Sequence, residues 1–216
     1  MTPSADVRTR LLDQVNRDRA PSRAEVRARN AKLFLSAIVV AIGVFLLSGG
    51  VRSGVRPEAL VIETALGAAA VALIALVVAL GRGRSMLGRP SRVLLGVVVV
   101  TPIAMFALKL GASLQFHGMM EPAPERPGFR CLLLSCLIAA WPLVAIVMTR
   151  RSSDPVHPRL TGAALGAAVG ACTWVLVDMW CPVAYVPHLM LGHVLPLVLL
   201  SAAGAWLGKF VALRHL

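Results

Sequence analysis

Residues 160–181 read LTGAALGAAVGACTWVLVDMWC, with one charged side chain, Asp178, near the end. An apolar run of this length with so few charges is what a helix needs to cross the hydrocarbon core of a bilayer, at 1.5 Å of rise per residue. Five more runs flank it, and the six cover about 33–51, 60–80, 93–116, 131–149, 160–181 and 188–208. Pro102, Pro142 and Pro196 lie inside these runs. They do not count against helices, because neighbouring groups in a membrane bundle re-satisfy the freed backbone. The expected fold is all-α: a polytopic membrane protein of six transmembrane helices.

Composition agrees with this reading. Of 216 residues 57% are hydrophobic and 15% charged, and the mean hydropathy is +0.77. Soluble domains carry about a quarter charged residues. Six spans take up most of the chain and leave an N-terminal tail, 1–31, ahead of a membrane domain, 32–216. No soluble catalytic domain fits in what remains. The first apolar run follows a long basic tail and has no small-residue cleavage site after it, so no cleavable signal peptide is expected. The formal charge of +12 and pI of about 11.3 would suggest nucleic acid in a soluble protein. Here Lys and Arg read as anchors that fix orientation in the bilayer, and no nucleic-acid partner is expected.

The positions of those cations set the expected orientation. With the N-terminus inside, the inner segments hold eight Lys/Arg before Leu33, four in 82–92, three in 149–159 and two beyond the sixth run. The outer segments hold Arg52, Arg56, Arg126 and Arg130. A bias this strong predicts both termini in the cytoplasm.

In the tail, Val7, Leu11, Leu12 and Val15 recur at helical spacing, with Arg8, Arg10, Asp13, Arg17 and Asp18 around them. Pro21 interrupts this short amphipathic helix. Ser22 and Glu25 have capping-box spacing, which predicts a new helix running on into the first span. The tail suits two roles: lying on the anionic inner leaflet, or docking a soluble cytoplasmic partner.

Cys131, Cys136, Cys172 and Cys181 include no CxxC pair. Cys131 opens the fourth span and Cys181 ends the fifth, both on the outer side. They are thus either a disulfide or thiol-sensor pair, or two unrelated buried thiols. Cys136 and Cys172 lie deeper, where a free thiol acts as a small hydrophobe. The same rim carries His117, Met119 and Met120, then Asp178 and Met179, then His188, Met190 and His193. Thiolate, thioether and imidazole suit soft ions. Cys131, Cys181, His188, His193 and His117 are therefore candidate ligands, although their spacing matches no ligand motif. No resident cofactor is expected; a heavy-metal ion enters only as a signal.

Glu63, Lys109 and Asp178 are the ionisable residues inside spans, and such residues are functional candidates by default. Lys109 can snorkel outward, or pair with Glu63 or Asp178. No acid or base stands at mid-span, which weighs against a proton-coupled transporter. Gly162, Gly166 and Gly170, four apart, form a small-residue face for close helix packing, and Gly204 and Gly208 repeat the spacing. There is no Ser/His/Asp set, phosphate loop or HExxH pattern, so no enzyme is expected.

The order of residues in the C-terminal half carries a resemblance. Cys131 opens the fourth span; Trp141, Pro142 and Leu143 follow. An Arg pair leads to HPRLTGAALG, with His157, Pro158, Gly162 and Gly166. Cys181 and Pro182 come next, then Gly192, His193, Pro196, Gly204 and Gly208. This half, about 125–210, resembles the NrsF-like family of six-helix bacterial membrane proteins, anti-sigma factors that negatively regulate extracytoplasmic-function sigma factors. Upstream, the resemblance rests on helix count and a basic tail. It implies that the cytoplasmic tail holds a sigma factor at the membrane until a redox or heavy-metal signal is sensed near Cys131 and Cys181. The chain departs from the family pattern at Trp180, where a His often precedes the second Cys; His188 or His193 is left to serve instead. The alternative reading is a small transporter or export partner for a metal or small molecule, which would show polar or broken helices at the midplane.

Overall fold

The structure is a computed structural model. It describes residue 9 and residues 22–51, 57–81, 89–115, 127–149, 156–181 and 183–213, with side chains as far as 210. Val7, Leu11, Leu12, Val15 and His117 lie outside the described residues, as do Met119, Met120 and Pro182. The chain divides into two compact units, Met1–Lys32 and Leu33–Leu216.

Six helices, each long and apolar enough to cross a membrane, make up the described chain, and no strand occurs among the described residues. They are α1 Arg23–Leu47, α2 Glu58–Leu80, α3 Ser91–Leu114, α4 Phe129–Thr149, α5 Pro158–Trp180 and α6. The last has three pieces: a turn at Val186–Leu189, a π-helical turn at Met190–Val194, and a long α-helical part, Leu195–Leu213.

The helix boundaries follow from local chemistry. At the start of α1 the Ser22 amide donates to Glu25 Oε2 at 2.7 Å, and the Glu25 amide donates to Ser22 Oγ at 3.2 Å. This reciprocal capping box satisfies amides that have no acceptor within the helix. Starting there, α1 begins ten residues before the apolar run at 33. It also ends at Leu47, short of 51. Gly49 and Gly50 have φ of +108° and +59°, and their amides donate back to Leu46 O and Phe45 O, both at 3.0 Å. This pattern is a Schellman cap, which needs a residue without Cβ. Pro57 and Pro90 precede α2 and α3, and Pro158 opens α5, where a missing N–H costs nothing.

The centre of the bundle is α5, which packs on α2, α3, α4 and α6. It reaches this position by being narrow. A Cβ on Gly162 would meet Gly204 O, one on Gly166 would meet Leu200 O, and one on Gly208 would meet Pro158 O. The backbones of α5 and α6 touch directly, the close approach that small residues allow in membrane helices. Gly170 continues the face onto Leu197.

By contrast α1 is peripheral: only Ala37 and Phe45 are buried. Leu35, Ile38, Val39, Leu66, Leu73, Ile74, Ile103 and Leu137 are exposed, as side chains facing lipid must be. Hydroxyls in the helices donate to their own backbone, for example Thr64 to Leu60 O and Thr173 to Val169 O, both at 2.9 Å. In a medium without water this satisfies those donors, whereas the buried Ser113 hydroxyl has no partner among the described residues.

Lys109 does not snorkel. It is 1% exposed, and its Nζ lies 2.6 Å from Oδ1 of Asp178, itself 2% exposed. Glu63 is exposed on α2. The pairing joins α3 to α5 because both groups sit on inward faces, where a lone charge would have no partner.

Candidate functional site

One end of the bundle gathers the C-terminal end of α1, the start of α4, the end of α5 and the start of α6. Phe45, Cys131, Leu134, Ile138, Val177, Cys181 and Val183 form one buried cluster there. Glycine brings α4 and α6 together. Gly128, at φ +104°, and Gly192 face each other so closely that a Cβ on Gly192 would lie 3.0 Å from Cys131 Cβ and 3.1 Å from Gly128 O.

The π turn then sets the histidines. Pro196 has no N–H to give the carbonyl of Gly192, and its ring would crowd that oxygen. The backbone widens instead: the Leu195 amide donates to Met190 O, five residues back. Such single π turns gather at functional sites because they re-aim side chains. Here the widening brings His193 and His188 to one side, their rings 5.7 Å apart, and sets His193 against Trp174 at 5.0 Å.

The result is a buried group of four, Cys131, Cys181, His188 and His193, whose ligand atoms all lie within 4.8 Å of one another. His188 Nε2 is 3.1 Å from Cys181 Sγ and 3.5 Å from Cys131 Sγ. Among the described residues neither buried ring nitrogen of His193 makes a hydrogen bond of normal geometry, although the ring interacts with the Cys181 thiol. A buried imidazole without a good hydrogen bond is costly.

The donor set suits a soft or borderline ion. Two thiols and two imidazoles are a Cys2His2 set, and Zn–S and Zn–N lengths of about 2.3 and 2.0–2.1 Å imply tetrahedral edges of roughly 3.4–3.8 Å. Some pairs already approach at such distances, and the widest needs to close by about 1 Å. These residues fit a cation, to which each would offer one atom, His193 through one of its two ring nitrogens.

Cys136 is half-buried and Cys172 exposed; neither joins the group. Gly162, Gly166 and Gly170 lie on the α5–α6 contact, away from the chemistry. Sequence reasoning missed Gly128, Trp174 and the π turn, and named Gly192 only as part of the family pattern. The only signal was a glycine three residues before a cysteine in one case, and a Gly-His pair shortly before a proline in the other.

A family model described as negative regulator of sigma F matches residues 15–214. The chain belongs to the NrsF family. The match runs through all six helices and all four residues of the buried group. The NrsF family is named for negative regulation of a sigma factor. No curated protein and no solved structure matches this NrsF chain.

Proposed function

We propose that this NrsF-family protein is a membrane-bound anti-sigma factor of the bacterial inner membrane, with both termini cytoplasmic. Residues 1–31 hold an extracytoplasmic-function sigma factor away from RNA polymerase, and a heavy-metal ion outside the membrane releases it. The protein regulates rather than catalyses. The family match over 15–214 carries the regulatory part of this reading. The convergence of Cys131, Cys181, His188 and His193 supports the sensory part.

A metal rather than an oxidant is favoured because two buried histidines complete the set with the two thiols. When bound, the ion supplies four bonds that tie the start of α4, the end of α5 and the start of α6 to one point. Thiols release protons on coordination, so affinity falls as pH falls. Near mid-span the buried side chains are mostly Ala, Val, Leu and Gly, with Thr101 a buried polar exception, and an apolar interior of this kind weighs against a transport path at the midplane.

The test for the tail is capture. Full-length protein in nanodiscs should retain the sigma factor encoded beside its gene, and protein lacking residues 1–31 should not. Equal retention by both proteins would refute the role of the tail.

A further inference from the structure

The carbonyl of Ser48 stands at the end of α1, where the Schellman cap has used the carbonyls of Leu46 and Phe45 and leaves later ones without an intrahelical donor. That carbonyl accepts a hydrogen bond from the indole Nε1 of Trp180, at 3.0 Å. Trp180 is the residue immediately before Cys181. Phe45, one turn before Ser48, packs in the same buried cluster as Cys131 and Cys181, with Trp180 against it. The peripheral helix α1 is therefore clasped to the residue adjoining one of the four candidate ligands. Its other side-chain hydrogen bond to the bundle among the described residues is Trp141 Nε1 to Ser36 Oγ, at 3.0 Å.

We propose that Trp180 is the positioning residue that passes occupancy of the Cys131–Cys181–His188–His193 group to the first helix. This rests on those four residues taking a cation. The four ligand atoms lie within 4.8 Å of one another and would settle at tetrahedral edges of roughly 3.4–3.8 Å. The 3.1 Å separation of Cys181 Sγ and His188 Nε2 must lengthen while wider pairs close, so Cys181 and the end of α5 shift within a rearrangement of up to about 1 Å. An N–H···O bond of 3.0 Å does not survive a stretch of that size. The clasp opens, and the cap of α1 loses the contact that held it. The sequence feature behind this is Ser48-Gly49-Gly50: glycine at positive φ turns the chain back and leaves Ser48 O facing the indole. A Cβ on Gly49 would come 3.7 Å from Trp180 Nε1.

The experiment uses full-length protein in nanodiscs, with Zn2+ as the probe. Zn2+ affinity is measured by chelator competition. Amide hydrogen exchange is followed at Gly49 and Gly50, whose amides report the cap. Zn2+ should speed their exchange in the unmodified protein by about two- to tenfold, the factor one net hydrogen bond is worth. Trp180→Phe keeps the ring and removes the N–H. It should show fast exchange with and without Zn2+, and bind Zn2+ within about threefold of the unmodified protein, an allowance well inside one tenfold step. Gly49→Ala strains the cap from the other side without touching the cluster, and should behave in the same way. A full Zn2+ response in Trp180→Phe would overturn the proposal. So would Zn2+ binding that leaves Gly49 and Gly50 unchanged in the unmodified protein, and so would loss of Zn2+ binding in Trp180→Phe, which would make the indole part of the site. No Zn2+ binding by the unmodified protein would remove the metal reading itself, and this proposal with it.

Discussion

Lys109→Met removes one half of the ion pair between α3 and α5. The two charged atoms are 2.6 Å apart, and the side chains are 1% and 2% exposed, so water screens almost nothing. Asp178 would be left as a buried charge whose ion-pair partner is gone. Breaking a buried pair in this way costs about 3–5 kcal/mol, which is roughly two to three and a half orders of magnitude in the unfolding equilibrium. The double variant Lys109→Met/Asp178→Leu removes both charges and substitutes apolar groups of similar bulk. It should recover most of the loss, since replacing a whole buried pair is often neutral or better. The assay is unfolding of purified protein in mixed micelles by a denaturing detergent, on the unmodified protein, both single variants and the double. The expected pattern is two unstable singles and a near-normal double. If Lys109→Met alone unfolds with the unmodified protein, the pair does not hold α3 to α5, and the reasoning from burial fails.

Gly166→Leu places a side chain where the Leu200 carbonyl of α6 already stands. The helices must separate, and the loss should be at least the 1–3 kcal/mol typical of overpacking, read as a lower unfolding midpoint. Cys181→Ser and His193→Ala each remove a ligand from the group of four. Zn2+ affinity should fall by more than the 10–100-fold typical of losing a mere supporting contact; equilibrium competition against a chelator measures it, and unchanged affinity would exclude the residue as a ligand. Gly192→Ala puts a methyl 3.0 Å from Cys131 Cβ and 3.1 Å from Gly128 O, so the start of α4 must shift. The protein should stay folded with Zn2+ affinity reduced by about tenfold or more.

The Schellman cap and the π turn show where sequence reading loses its grip. An apolar run gives no sharp end to α1, because Leu47, Ser48, Gly49, Gly50 and Val51 are all tolerated at the membrane edge. The end is set by hydrogen bonds from two glycine amides. In the same way Pro196 marks a disturbance in the sixth helix, while the direction in which it turns His193 depends on the backbone hydrogen bond from Leu195 to Met190 O. Cys131, Cys181, His188 and His193 were legible as rim residues of suitable chemistry. Their convergence was not, because it depends on Gly128 and Gly192 letting two helix ends touch.

By itself the sequence determined the six helices and the narrow face of α5. Length, hydropathy and glycine spacing are one-dimensional properties, and a bilayer turns them into helices with few alternatives. The resemblance in the C-terminal half also named the family. Tertiary structure alone decided which groups face each other. Lys109 and Asp178 are 69 residues apart and Cys131 and His188 are 57 apart; nothing local relates them. Their meeting follows from how closely the glycine faces let the helices approach and from the cost of leaving a buried polar group alone, and both are properties of the packed bundle.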